Sequence, residues 1–433
     1  MTTEPAPHTA YAPLAGVRVV EWCEQAAGPF AGKLLAQLGA DVIKVEAPDG
    51  DPARAAGPFP GDVPDPEASA LFLYTNTGKR SIVLDATSEA GAPLLRRLIA
   101  EWADVYLEDR MPSQAEALGL TYARLAESKP ALVVASVTPF GTTGPYRNFK
   151  TYPSQTSHAG GAAYLQPSGQ LYIGDPSVPP VRLPAYLPDF TAGLQTALAI
   201  VSAILERRRS GRGQHIDVSK QQAQMHPVKA ALDSLPNDAA VTVRVNAPSD
   251  VRGPRAALSG TKRARDGFVT LWPLETYMPQ ALIDWLGNPE WSNDPRWAVP
   301  AQRDAADEFR VGLTADLLQH DKQELFHGLQ AKSVAISSID TAEEVVHSPQ
   351  LAAREFFQPV PAPPAVAAGE LPMPVFPFKT SAWADALPRE APRLGQHTEQ
   401  VLGTLLGLDA AAIAHLRAQS VTAPNVSTQK VTG

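Results

Sequence analysis

VRVVEWCEQAAGPFAGKLLAQLGADVIKVE, residues 17–46, decides how this chain folds. Val17 to Trp22 reads as a strand, and Phe30 to Leu38 has helical spacing and is closed by Gly39. Asp41 to Glu46 is a second strand. The unit recurs downstream, with a strand at Ser81 to Leu84, a helix over Ala92 to Trp102 and a strand at Val105 to Leu107. Ala131 to Val137 is a continuous apolar run, as a strand buried on both faces requires, and His215 to Ser219 reads as another strand. Strands alternating with helices of this length predict an α/β fold, a Rossmann-like parallel sheet covered by helices.

Outward from that core, the 433 residues exceed one small domain. The large domain is expected over 1–225, with residues 1–13 a loose arm. A smaller inserted domain holding Trp272, Trp285, Trp291 and Trp297, mostly helix and loop, is expected at 226–335. Residues 336–433 return to the large domain through a proline-dense stretch at 359–377, expected to be an extended linker. Helical patterns follow at 397–406 and 410–418.

Charge excludes several functions. With 37 Lys and Arg against 45 Asp and Glu, the net charge is −8, and no basic block offers a nucleic-acid or anionic-membrane surface. The lone cysteine, Cys23, can form neither an internal disulfide nor a thiolate metal site. No secretory leader is visible in Met1 to Gly16, and the apolar-leaning stretch from Leu194 to Leu205 is shorter than the ~20 residues of a membrane span. A soluble, cytoplasmic protein is expected.

The turn after the first strand, Cys23 to Gly32, lacks the G-x-G-x-x-G fingerprint, and Pro29 removes an amide that a dinucleotide would use. Neither a P-loop nor a G-x-S-x-G elbow is present, and the nine histidines form no H-x-x-x-H pair. Asp189 in LPDFTAG stands before a helix on which Leu194, Leu198, Val201 and Leu205 share one face and Arg207 to Arg209 form the end. By residue type Asp189 reads as the N-cap of that helix. A carboxylate there is held ionised by the helix dipole, which also suits a nucleophile.

Eight segments in order resemble family III CoA-transferases, the group that also contains α-methylacyl-CoA racemases. They are APLAGVRVVEW (12–22), AAGPFAGKLLAQLGADVIKVEAPDGDPAR (26–54), GKRSIVLD (78–85), ASVTPFGTTGPY (135–146), GRGQHIDVS (211–219), NDPRW (293–297), SPQLAAREFF (348–357) and LGQHTEQVL (394–402). The resemblance implies Asp189 as nucleophile, and acyl-CoA and a carboxylic acid as substrates, with no permanently bound cofactor. It also implies an interlocked homodimer. Lys150 and Tyr152, in NFKTYPSQTSHAGGAA (148–163), match positions lining the CoA thioester pocket. Lys79 matches a lysine near the nucleotide, with Arg80 or Arg54 as further phosphate contacts. Ala26 stands where some members carry glutamine, and Ala47 and Ala117 where some carry a CoA-binding arginine. Two alternatives stay open: a racemase, although Tyr152 stands where that branch has histidine and His158 lies six residues on, and a non-catalytic CoA-binding subunit. Gly160 and Gly161 suit a backbone passing close to a ligand or a neighbouring helix.

Overall fold

A computed structural model of the chain describes residues 12–165, 183, 186–225, 258–273, 275–299, 302, 307–364, 366, 369–383 and 389–423. The expected arm at 1–13 lies almost wholly outside them. Six strands form one sheet: β1 (Arg18–Trp22), β2 (Asp41–Glu46), β3 (Arg80–Val83), β4 (Val105–Glu108), β5 (Val133–Thr138) and β6 (His215–Ser219). Their order is β3-β2-β1-β4-β5-β6 and every neighbouring pair is parallel. The winding therefore reverses between β1 and β4, where open α/β sheets present their binding crevice at the strands' carboxyl ends.

Side chains on a strand alternate between faces, and the core divides accordingly. Val20, Ile43, Ile82, Tyr106 and Val134 face one way, toward α3 (Gly91–Glu101), α5 (Tyr122–Ser128) and the returning helices Thr398–Leu406 and Ala410–Ala418. Val19, Val42, Val105, Leu107 and Val133 face the other, under α1 (Ala27–Gln37) and α7 (Leu187–Ser210). Between these lie α2 (Ala70–Thr75), α4 (Pro112–Ala117) and α6 (Pro153–Ala159), and α8 (Lys220–Met225) follows β6 directly.

The described residues fall into two compact units, the first drawn from Met1–Gly160, Leu183–Pro227 and Pro349–Gly433, the second from Gly161–Arg182 and Val228–Ser348. The second unit was expected to be mostly helix and loop, but it contains an antiparallel sheet of β7 (Gly260–Arg263), β8 (Phe268–Leu271) and β9 (Ile336–Ile339). Because β9 pairs with β8, this unit continues past residue 335. Its core includes Trp297, set edge-on against Trp291 and Phe309 at 5.2 and 5.5 Å. The expected linker at 359–377 is instead a hairpin. Phe357–Pro361 (β10) pairs with Glu370–Pro374 (β11), and its prolines fit because this two-stranded sheet consists of edges alone.

Helix α7 differs from its sequence reading in three ways. It starts at Leu187, before Asp189, because Pro188 presets a helical φ in the first turn. At 24 residues and mean hydropathy 1.3 it is long and apolar enough to cross a bilayer, unlike the shorter stretch read from sequence. Half of that stretch is buried in the protein. Finally, the buried face is Ala192, Gly193, Thr196, Ala197, Ile200, Ala203 and Ile204, whereas Leu194, Leu198 and Leu205 are each more than half exposed. Small residues face inward because α1 runs close: a Cβ on Gly193 would lie 2.5 Å from the Ala27 carbonyl oxygen and 3.3 Å from Phe30 Cβ. Gly211, at φ +73°, ends the helix in a left-handed cap.

Two outcomes follow from this packing. Gly193→Ala should cost about 1–3 kcal/mol, since backbone must move to admit the methyl group. An unchanged denaturation midpoint would show that α1 and α7 stand further apart. The second concerns Glu108 at the end of β4, whose carboxyl burial pushes up to about 7, with Asp109 adding to the effect, while Ser136 and the Arg110 amide oppose it. The unfolded chain ionises this group near 4.5, so Glu108's contribution is intact below that pH and is lost as pH rises through about 7. Relative to Glu108→Gln, wild-type stability should fall by up to ~3 kcal/mol across that window and then level off. Parallel stability–pH curves for the two proteins would refute the burial argument.

Candidate active site around Asp189

Four buried charges set the turn that leads into α1. Glu21 on β1 and Lys44 on β2 are aligned in register, and both side chains are wholly enclosed. Lys44 Nζ contacts Asp51 at 2.7 Å, the Cys23 carbonyl at 2.9 Å and Glu21 at 3.3 Å. These carboxylates outweigh desolvation and hold its ammonium far above the usual lysine range. Asp51 in turn accepts the backbone N–H groups of Gln25 and Ala53, each at 2.8 Å. Gln25 is thereby fixed at φ +62°, and the chain is aimed at Ala26 and α1.

Lys79 completes this set. Its side chain is fully enclosed, and Nζ donates to Glu21, the Pro29 carbonyl and Asn76 at 2.8–2.9 Å. Burial pulls its ammonium down to about 8 while Glu21 pushes back. Arg54 is equally occupied: it forks onto Glu46 at 2.7 and 3.0 Å, contacts Glu67 and the Pro392 carbonyl, and stacks on Phe72 at 3.6 Å. Arg80 forks onto Asp41, both residues opening their strands at the amino edge of the sheet. These three basic residues, expected at the CoA phosphates, tie β1, β2, β3 and the returning chain together.

Ala26 is fully buried and packs with Ala53, Leu71 and Phe72 beside Tyr186 and Phe190, which flank the first turn of α7. Phe30, Tyr74 and Phe190 form a ring cluster with centroids 5.0–5.9 Å apart. Tyr74 also lines an apolar cavity of about 380 Å³ together with Phe59, Leu73, Leu371 and Met373.

Asp189 lies at the third position of α7 and is completely buried. It is not the N-cap: Tyr186 holds that position and offers no side-chain bond. Neither carboxylate oxygen accepts a hydrogen bond from the described residues. Burial and the Asp189 and Asp51 carboxylates together push the Tyr186 phenol up. Lys220 Nζ lies 3.1 Å from Asp189 Oδ1 as an ion pair. Lys220 is the first residue of α8, where β6 ends opposite Thr138 of β5, so the pair sits at the carboxyl end of the sheet. Gln224, one turn further, anchors the helix start by donating to the Pro188 carbonyl at 2.9 Å.

Lys150 is exposed, and Tyr152 is two-thirds exposed where the chain enters α6. Tyr152 N–H is held by Gln155 Oε1 at 3.0 Å, and no described contact joins either residue to Asp189. His158 is exposed, with Nδ1 against its own helix at the Ser154 carbonyl. Gly160 serves a helix approach, since a Cβ would lie 2.7 Å from Gln224 Cβ on α8. Ala47 and Ala117 bring no cation to the places where some family members carry arginine.

Sequence reasoning missed Lys220 and the buried charge set. The signal for the second was available: Glu21 and Lys44 interrupt the buried apolar runs Val19–Trp22 and Val42–Val45. A charge there must find a partner across the sheet. For Lys220 the signal is weaker, a lysine immediately after a strand that ends at the binding edge of the sheet.

An unbonded buried carboxylate beside a single cation, close to a helix N-terminus, is equipped for nucleophilic attack on an acyl carbon. Similarity to known proteins identifies the family. The family profile described as CoA-transferase family III matches residues 14–398. A succinate–glutarate CoA-transferase of Agrobacterium fabrum is 31% identical over 397 residues, covering 91% of this chain and 96% of that protein. A succinyl-CoA–D-citramalate CoA-transferase of Chloroflexus aurantiacus is 31% identical, covering 94% and 98%. Among solved structures, a CAIB/BAIF family protein from Brucella suis superimposes with a TM-score of 0.77 at 30% identity, covering 91% of this chain and 99% of that one. The chain belongs to CoA-transferase family III, and is a transferase enzyme of that family.

Proposed function

We propose that this enzyme moves CoA from an acyl-CoA donor to a carboxylic acid, with Asp189 as the covalent nucleophile. The observation that carries this reading is the fully buried Asp189 carboxylate, to which no described group donates a hydrogen bond. Lys220 Nζ faces Oδ1 at 3.1 Å, while Oδ2, to which no described group donates, keeps its lone pairs for attack.

The reaction begins when Asp189 attacks the donor thioester carbonyl, forming a mixed anhydride and releasing CoA thiolate. The thiolate attacks the aspartyl carbonyl, giving an aspartyl-CoA thioester and the donor acid. The acceptor carboxylate then repeats the exchange in reverse, leaving acyl-CoA product and the free carboxylate. Burial of Asp189 keeps water from an anhydride that it would hydrolyse. Ala26 packs beside Tyr186 and Phe190 at the first turn of α7, and Lys150 and Tyr152 on the exposed approach to α6 are the proposed contacts of bound CoA. Succinyl-CoA is the first donor to test, given the names of the two relatives.

The reading includes a cytoplasmic homodimer. Leu194, Leu198 and Leu205 support the dimer, because three exposed leucines along one helix face are a costly surface without a cover. A racemase gains no support from the site, since His158 is exposed and engaged with its own helix. The retained nucleophile argues against a non-catalytic subunit.

Asp189→Asn should lower CoA transfer by at least about 10³-fold while leaving a cooperative unfolding transition, because an amide is a far poorer nucleophile. Hydroxylamine added to wild type and succinyl-CoA should convert residue 189 to a hydroxamate. Full activity in the Asn protein, or a hydroxamate mapped elsewhere, would end the proposal.

A further inference from the structure

We infer that Lys220 is the docking cation for the reacting carboxylate, released for that role each time Asp189 is acylated. The inference rests on Asp189 being the nucleophile. Lys220 Nζ stands 3.1 Å from Asp189 Oδ1, and among the described residues it has no other acceptor. Asp189 is wholly enclosed whereas the Lys220 side chain keeps 16% of its surface in solvent, so the ammonium is the reachable member of the pair.

Charge conservation gives the argument. In the resting enzyme one carboxylate and one ammonium cancel. Once Asp189 is an anhydride or a thioester it carries no charge, and Lys220 is left as a largely enclosed cation without its partner. Such a cation demands an anion. The acceptor acid supplies one, and an ammonium 3.1 Å from Asp189 Oδ1 would hold it within reach of the aspartyl carbonyl carbon.

In the step concerned, an acceptor carboxylate oxygen bonds to the aspartyl carbonyl carbon and the carbon–sulfur bond breaks, its electron pair leaving with CoA thiolate. The thiolate then attacks the acceptor's acyl carbon, and the bond from that carbon to the bridging oxygen breaks. This restores the Asp189 carboxylate and its pair with Lys220. No proton, oxidant or further reactant is needed. The donor acid leaves by the same route in reverse, so Lys220 meets each carboxylate of the cycle in turn and selects for an ionised acid over an ester or amide.

The test isolates the second half of the cycle. The aspartyl-CoA thioester is formed by prolonged incubation with succinyl-CoA, freed of small molecules by gel filtration, and mixed with increasing glutarate. Wild-type adduct should decay at a rate that saturates with glutarate. In Lys220→Met decay should stay linear in glutarate, with a second-order constant at least ten-fold lower, and Lys220→Arg should restore saturation. Lys220→Gln gives the same comparison if the Met protein does not fold. Saturation at the wild-type glutarate concentration in a neutral variant would overturn the inference. So would a neutral variant that never acquires the adduct, because Lys220 would then serve the first attack. Absence of an adduct at residue 189 in wild type is a different result, and contradicts the role of Asp189 itself.

Discussion

Two carboxylates and two ammoniums enclosed between β1, β2 and the turn after β1 govern the placement of everything at the site. Glu21 and Asp51 share Lys44, and Glu21 also takes Lys79. Enclosed charges tolerate little displacement, because separation exposes an uncompensated ion to a medium of low polarizability. The set therefore works as a rigid pin. It fixes Gln25 in a left-handed conformation through Asp51, and that aims α1. Helix α1 then positions α7 through the contact at Gly193, where no side chain keeps the backbones apart. Asp189 lies four residues before that contact, one helical turn away. The place of Asp189, the proposed nucleophile, is thus set by charges on the opposite side of α1.

This arrangement separates two demands that conflict. A reactive carboxylate needs burial without hydrogen bonds, which destabilises a fold. The required stability comes from elsewhere: a sheet buried on both faces, and ion clusters in which nearly every donor is used. Arg54 shows the division clearly, with its guanidinium spent on Glu46, Glu67 and a carbonyl of the returning chain. Basic residues near the site hold the scaffold together, and among the described residues only Lys220 pairs with Asp189, the proposed nucleophile.

Much of this was legible in the sequence. The alternation of strands and helices in residues 17–46 announced the parallel sheet, and the apolar run at Ala131 to Val137 announced a doubly covered interior strand. Asp189 read as a helix cap by residue type, and the resemblance to the family implied it as the nucleophile. Its position within the helix was not legible, since Pro188 and Leu187 extend the first turn backward and no local pattern distinguishes cap from third position. The leucine stripe of α7 faces outward for a physical reason: α1 comes so close that only small residues fit between the helices. The proline-dense segment misled because a two-stranded hairpin, all edge, tolerates prolines that a central strand would refuse. The resemblance to the family matched Lys79 to a lysine near the nucleotide and offered Arg54 as a further phosphate contact. Their enclosure depends on partners up to several hundred residues away in the chain, such as Pro392, which spacing does not reveal.

The central claim, that Asp189 exchanges its oxygen with the substrates through an anhydride, is tested most directly by isotope transfer. Turnover of succinyl-CoA with glutarate labelled with ¹⁸O in both carboxylates should place heavy oxygen in the side chain of residue 189, detected by mass spectrometry of the peptide that contains it. Each cycle leaves the bridging oxygen of the acceptor on Asp189, so repeated cycles should label both carboxylate positions. Normal product formation with that peptide unlabelled would mean that CoA passes between the acids without an aspartyl anhydride, and would contradict the covalent role of Asp189.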